Sequence, residues 1–303
     1  MRTARSQSPD VPAGHRSGFV AIIGRPNVGK STLLNQVLGQ KVAIVTPKPQ
    51  TTRGRILGIL TLPDAQIVFI DTPGLHRPRS LANRRMVEAA EHAAAEADVR
   101  LWVVDARVGI AAGDRTIAGQ LGSGAETCVA LNKIDGLARN ALLPLLATLD
   151  ELLPGRHVIP ISALRRTNFK ELIAQIVRLL PAGPRYYDPE VFTDQTERML
   201  AQEVIREQVL LQTEAEVPYA VAVTIDRFEE KDKLAVVSAT IHVERPSQKA
   251  IVIGAGGKRI KEIGRAARVE LEALLDRRLY LELFVRVQEE WSKRHALLKE
   301  FGF

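Results

Sequence analysis

Hydrophobic residues in the first 180 positions fall in short continuous runs rather than in strict alternation. The runs near 18–24 (GFVAIIG), 66–71, 99–105, 127–131 and 157–161 are rich in β-branched side chains, the pattern of strands buried on both faces. Helical spacing appears between them. Leu33, Leu34, Val37 and Leu38 line one helix face, and Gly39 is placed to stop that helix. Phe169 to Leu180 reads as the last helix of this part, with Asn168 and Glu171 at capping-box spacing. Strands alternating with helices predict an α/β domain over 18–180, a mostly parallel sheet with helices on both faces.

The pattern changes after 180. Pro181, Gly183, Pro184 and Pro189 break both helix and strand, so 181–192 reads as a linker. A helix is predicted near 194–211, with Asp194 and Glu197 in a capping pattern. YAVAVTI (219–225) and LAVVSATIHV (234–243) alternate as half-buried strands, and the polar stretch between them suggests a hairpin. IVIGAGGKRIKEIG then enters a helix running to about Leu275, and LYLELFVRV (279–287) reads as an edge strand. The predicted order α-β-β-α-α-β makes 193–303 a second, smaller α+β domain. Trp291 to Phe303 carries Trp291, Leu297, Leu298, Phe301 and Phe303, and is expected to pack on that domain as an amphipathic helix.

A length of 303 residues suits two domains, and 46% hydrophobic with 25% charged residues is a globular composition. The one cysteine, Cys128, lies in an apolar run and is expected in the core, which leaves no disulfide framework and no cysteine metal site. That suits a reducing, cytoplasmic location. No run of 18 apolar residues is present, so no spanning helix is expected. The first 17 residues lack a signal-peptide core and read as a disordered tail. The net charge of +7 is uneven. Residues 1–184 carry 23 Lys and Arg against 14 Asp and Glu; the remainder carries 19 against 21. Within that acidic remainder, Arg245 to Arg268 holds seven basic residues against Glu262, which points to an anionic partner.

The turn after the first strand holds candidate chemistry. Gly24, Gly29, Lys30 and Ser31 fit the phosphate-binding pattern G-x-x-x-x-G-K-[ST], with Arg25, Pro26, Asn27 and Val28 between and Thr32 behind. Small residues let backbone N–H groups turn toward a polyphosphate. Lys30 reaches its outer phosphates, the Ser31 hydroxyl ligates Mg²⁺, and the helix N-terminus faces the anion. The run ending at 71 leads into Asp71-Thr72-Pro73-Gly74, where Asp71 can hold Mg²⁺ through water and the Gly74 N–H can meet a γ-phosphate. The next run leads into Asn132, Lys133 and Asp135. An ionised Asp135 only accepts hydrogen bonds, so it suits the two adjacent N–H donors of guanine. Last, Ser162-Ala163-Leu164 offers a backbone N–H to the guanine O6. Four such motifs in order, each after an apolar run, point to a P-loop guanine-nucleotide domain using GTP or GDP with Mg²⁺.

The second domain carries Gly254, Ala255, Gly256 and Gly257 after Ile253, a G-x-x-G segment entering a helix. Its element order is that of a bacterial-type KH domain. Such a loop clamps a nucleotide strand by close backbone approach, with Lys258, Arg259 and Lys261 adding charge. Ile251, Ile253, Ile260 and Ile263 would shape a groove for unstacked bases; alternatively Ile253, Ile260 and Ile263 belong to the core.

PQTTR, from Pro49 to Arg53, lies between the phosphate loop and DTPG. With it the chain resembles the translation-factor-related P-loop GTPases. With the KH half it resembles the Era family, bacterial GTPases involved in small ribosomal subunit assembly, over roughly residues 18 to 290. The resemblance implies a monomeric GTP-hydrolysing switch whose partner is the 3′ end of small-subunit ribosomal RNA in the 30S subunit. Thr51 and Thr52 are both candidates for a second Mg²⁺-ligating hydroxyl, beside Lys30 and Gly74. Asn27 has two readings: a left-handed turn residue or, by the resemblance, a K⁺ ligand that assists catalysis. Leu75 stands where many small GTPases carry a water-orienting Gln, and His76 follows it. GTP is expected to order 41–55 and 74–85. Two rivals remain: a tRNA-modification GTPase, and an RNA-binding or peripherally membrane-associated scaffold.

Overall fold

Continuous apolar runs demand a sheet covered on both faces, and the computed structural model, which describes residues 14–48, 51–75, 81–121, 126–214, 216–231 and 234–302, contains one. The residues divide into two units: Met1–Ala43, Gly54–Arg77 and Met86–Asp194, and Ile44–Arg53, Pro78–Arg85 and Gln195–Phe303. The first unit is built from β1 (Arg16–Ile23), α1 (Lys30–Leu38), β2 (Ile56–Thr61), β3 (Ala65–Asp71), α2 (Leu81–Glu96, its first residues counted with the second unit), β4 (Val99–Asp105), α3 (Ala112–Leu121), β5 (Glu126–Asn132), α4 (Arg139–Leu152), β6 (Val158–Pro160) and α5 (Phe169–Leu179). Strand order is β2-β3-β1-β4-β5-β6, with every neighbouring pair parallel except β2–β3. Val20 and Ile22 bury on one face with α1 and α5, and Ala21 and Ile23 on the other with α3 and α4. Cys128 is fully buried, and burial pushes its thiol up to about 12. β1 lies between β3 and β4, where the strand order reverses, so its C-terminal end opens a crevice suited to a ligand.

Several sequence expectations need correction. β2 was not anticipated. Its run ILGILT pairs antiparallel with β3, and Gly58 lets α1 approach: a Cβ there would lie 2.6 Å from Leu34. The expected tail ends earlier than residue 17. Residues 1–13 lie outside the described residues, but Arg16 and Ser17 already belong to β1, and Ser17 is fully buried. The linker is fastened along its length. The Ser17 N–H donates to the Pro181 carbonyl, and Gly183 N–H to that of His15. Buried Gln66 accepts from the Tyr186 and Tyr187 N–H groups. The capping box of α5 does not form; Asn168 adopts a left-handed conformation and donates to the Pro160 carbonyl instead.

The second unit contains α6 (Glu197–Gln212), β7 (Ala222–Lys231), β8 (Leu234–Val243), α7 (Pro246–Ile253), α8 (Lys258–Leu275), β9 (Arg278–Val287) and α9 (His295–Glu300). Its sheet runs β7-β8-β9, so β9 is an edge strand as expected, parallel to β8. Thr196, not Asp194, caps α6, accepting from the Met199 N–H, while Glu197 pairs with Arg277 at 2.6 Å. β7 starts later than the sequence suggested and continues through the polar stretch to Lys231, because cross-strand pairing with β8 outweighs its low strand propensity. Ile263 is fully buried in the core; Ile251 packs against it. Trp291 is fully buried and donates from Nε1 to the Ala220 carbonyl. Phe301 packs on Trp291 and His242, so the terminal segment covers this unit as expected, with Phe303 outside the described residues. Among the described residues no helix is long and apolar enough to cross a membrane.

Candidate functional site

The phosphate loop leaves β1 through backbone that only small residues allow. Gly29 has φ +100°, and a Cβ on it would lie 2.4 Å from Asn132 Nδ2; one on Gly24 would lie 2.4 Å from the Val103 carbonyl. Asn27 has φ 63°, the left-handed conformation its turn reading requires. Lys30 is buried, and its Nζ donates to the carbonyls of Arg25 (3.1 Å) and Gly24 (3.3 Å). Ser31 Oγ donates to Asp71 Oδ2 at 2.7 Å, bringing the two expected metal-holding groups together. A hydroxyl and a carboxylate are hard oxygen donors that fit Mg²⁺, which takes its other ligands from phosphates and water. Thr32 lies half-buried one position on. Thr72 Oγ1 donates to the Ile22 carbonyl and fixes the start of the DTPG turn. Pro73 is buried, and Gly74 lies against the phosphate loop, where a Cβ would be 2.6 Å from Pro26 N. The Leu75 N–H donates to the Gly24 carbonyl, and its side chain packs on the core. His76 lies outside the described residues.

Burial lowers the Lys30 pKa to about 8, with Asp71 opposing the shift. Phosphates would favour the charged form, so nucleotide binding should take up a proton above that pH. GDP affinity is expected to be flat below about pH 7 and to fall by about tenfold per unit above pH 8. Calorimetry in two buffers of different ionisation enthalpy reads the proton directly. A constant affinity from pH 7 to 9.5 with no proton uptake would contradict this account.

The base-reading motifs are braced together. Asn132 is buried; its Nδ2 donates to the Val28 carbonyl and its Oδ1 accepts from the Ala163 N–H, both at 2.8 Å. Lys133 Nζ reaches the Asn27 carbonyl and Asp105 Oδ2, each at 2.6 Å. The Asp135 side chain is 7% exposed. Its Oδ1 accepts from Ser162 Oγ at 2.6 Å and its Oδ2 from the Arg107 guanidinium at 2.5 Å. The Ser162 hydrogen bond, helped by Arg107, holds this carboxyl below the usual range against burial. Leu164 is exposed at the turn. Asp105, Arg107 and Asp114 were missed. Asp114 is fully buried beside Arg25 of the phosphate loop, 2.9 Å from its Nε, and burial raises its pKa. Asp105 had a readable signal: like Asp71 and Asn132, it ends a buried parallel strand.

Residues 44–53 count with the second unit, where α6 grips them. The Val45 N–H donates to Glu207 Oε1, Lys48 Nζ to the Thr213 carbonyl, and Arg206 to the Thr51 carbonyl. Arg53 donates to the Val221 carbonyl. Thr51 Oγ1 donates to the Lys48 carbonyl at 2.7 Å, and Thr52 is buried. Pro49 and Gln50 lie outside the described residues.

The G-x-x-G turn joins α7 to α8. Gly254, Gly256 and Gly257 have φ 72°, 59° and 76°. A Cβ on Gly254 would lie 2.8 Å from the Arg259 Cβ, whereas Gly256 and Gly257 face open space. Ala255, Lys258 and Lys261 are exposed, and Ile253 is half-buried just before the turn. Arg259 differs from expectation: its Nη1 donates to the Ile251 carbonyl and braces the turn. A groove of about 440 Å³ follows between α8 and β9, lined by Ile260, Lys261, Arg265, Arg268, Leu281 and Leu283.

The chain is similar to known proteins over most of its length. A family model described as a 50S ribosome-binding GTPase matches residues 19–133, and a KH domain model matches 216–292. GTPase Era of Geotalea daltonii is 50% identical over 289 residues, covering 95% of this chain and 97% of the relative. GTPase Era of Geobacter metallireducens is 48% identical over 291 residues, covering 95% and 98%. The solved structure of Era with MgGDPNP and nucleotides 1506–1542 of 16S ribosomal RNA superposes with a TM-score of 0.91 at 40% identity, covering 95% of this chain and 99% of that one. A point variant of Aquifex aeolicus Era bound to GDP·AlF4⁻ superposes with 0.92 at 40% identity, with the same coverage.

Proposed function

This chain belongs to the Era family of GTPases, and from that premise we propose that its nucleotide state governs binding of the 3′ region of small-subunit ribosomal RNA during 30S assembly. It hydrolyses GTP to GDP and phosphate. Lys30 neutralises the outer phosphates, and Ser31 and Asp71 hold Mg²⁺, directly and through water. Mg²⁺ supplies charge compensation on the β- and γ-oxygens. The Gly74 N–H serves the γ-phosphate, and Thr51 or Thr52 completes the arrangement when GTP orders 41–55. Leu75 offers the attacking water no hydrogen bond, so catalysis rests on positioning by backbone and charge. Asp135 reads guanine. The chain acts as a monomer in the cytoplasm.

One observation carries the coupling of activities: a braced guanine site and an exposed glycine turn beside a basic groove occur in one chain. The test is Ala255→Asp combined with Gly256→Asp. Neither site is enclosed, and Asp tolerates the positive φ of Gly256, so the fold should persist. Binding of the RNA 3′ end at fixed salt is expected to fall by about a hundredfold, because two carboxylates would face phosphates. GTP affinity and basal hydrolysis should stay unchanged. A folded double variant that binds this RNA like the parent would defeat the assignment.

A further inference from the structure

We propose that the groove between α5 and the edge strand β6 is a second nucleic-acid surface, one that takes the phosphodiester backbone of RNA beyond the segment held at the glycine turn. The proposal rests on the RNA-binding reading above. The groove measures about 710 Å³; the Glu171 carboxylate lines it, and so do His157, Arg166, Lys170 and Arg178. These last four are exposed.

The charge around this groove is mainly positive. Between Arg156 and Arg178 the chain has five Lys and Arg, with Glu171 as the acid among them. Among the described residues Arg166, Lys170 and Arg178 form no ion pair, and the Arg166 guanidinium lies 5.9 Å over the Phe169 ring. Other cations of this protein do find carboxylates: Arg156 pairs with Glu126, Arg206 with Glu203, and Arg277 with Glu197 and Glu230. Three unpaired cations around one groove keep their charge available to an outside anion.

The spacing suits a polymer better than a small anion. Lys170, Ala174 and Arg178 share one face of α5, two turns long, so the two cations stand about 12 Å apart along the axis. One nucleic-acid strand presents a charge roughly every 3.4 Å, so that span faces three or four phosphates. Ala174 between them lets a backbone come close. The net excess of 23 basic over 14 acidic residues in 1–184 is also more than one bound nucleotide with its Mg²⁺ can neutralise. Arg165 and Arg166 follow directly on the Ser162-Ala163-Leu164 turn, so the surface begins where the base site ends.

The test compares the parent with the triple variant Arg166→Ala, Lys170→Ala, Arg178→Ala in the full chain. Two RNAs serve as probes: a short oligonucleotide of the small-subunit 3′ end, and a longer transcript that extends it upstream. The triple variant is expected to bind the long RNA about tenfold more weakly near 0.1 M salt, and to lower the slope of log K against log salt by about 2 to 3. Short-oligonucleotide binding and GTP hydrolysis should not change. Unchanged affinity and slope for the long RNA would overturn the proposal. So would an equal loss for the short RNA, which would show a global effect. Weakened binding to phosphatidylglycerol vesicles with RNA binding intact would reassign the surface to lipid. A parent that binds neither RNA would defeat the RNA reading itself, an outcome distinct from a parent that binds both and a triple variant that does the same.

Discussion

Asp135→Asn should lose GTP several hundredfold in affinity and recover much of that loss with xanthosine triphosphate. The carboxylate offers acceptors on both oxygens, already oriented by Ser162 at 2.6 Å and Arg107 at 2.5 Å. The guanine edge presents two N–H donors to them. An Asn amide keeps one acceptor and turns a donor toward one of those N–H groups, in a site where the side chain is 7% exposed. A charge-assisted pair becomes a donor–donor conflict in poor solvent, a loss on the order of 3–4 kcal/mol. Xanthine carries a carbonyl where guanine has the amine, so the new donor finds a partner. Arg107→Ala is the control. Its side chain is 53% exposed, and its removal leaves the Ser162 bond in place, so its effect on GTP should stay within about tenfold. Titration of fluorescent nucleotide analogues measures all three. Equal loss of guanosine and xanthosine nucleotides in a folded Asp135→Asn protein would remove Asp135 from base recognition.

The legible part of this site is the part where one residue type at one strand end meets one chemical demand. Asp71, Asn132 and Asp135 follow buried parallel strands, and the phosphate loop follows β1, so their order along the chain reports their place in the crevice. The bracing residues were less legible because their partners are remote in sequence. Asp114 touches the phosphate loop through Arg25, and Arg107 reaches Asp135 across 28 positions. Only Asp105 shared the strand-end signal. Caps misled for a related reason: Asn168 and Glu171 have the right spacing, but the Pro160 carbonyl competes for the Asn168 amide. β2 escaped because its run follows the PQTTR segment, which drew a functional reading instead of a structural one. Thr51 and Thr52 were expected to be functional, yet nothing local announced that α6 would hold their segment. That hold depends on Arg206 and Glu207, two charged residues on a helix that otherwise reads as amphipathic.

Arg206→Ala should cost the second unit about 3–5 kcal/mol and release residues 44–53 from it. Arg206 is 2% exposed; its guanidinium bonds both carboxylate oxygens of Glu203 and donates to the Thr51 carbonyl at 2.6 Å. Truncation leaves Glu203 without this partner and takes the Thr51 carbonyl's donor away. Arg53 tempers the loss: burial and the Arg206 charge both push its pKa down, so removing one cation relieves the other. A midpoint drop of roughly 10 to 20 °C is expected for the second unit. Hydrogen exchange distinguishes the segment from the helix. The peptide spanning 44–53 should lose protection in the variant, while β8 keeps its own under native conditions. Arg206→Met restores the apolar packing without the donor, and should recover part of the stability but not the protection of 44–53. On the proposed function, in which Thr51 or Thr52 serves the metal once GTP is bound, GTP should narrow the difference between parent and variant in that peptide. A destabilised Arg206→Ala protein whose 44–53 peptide exchanges like the parent's would show that Arg206 supports α6 alone and that the segment is held by other contacts.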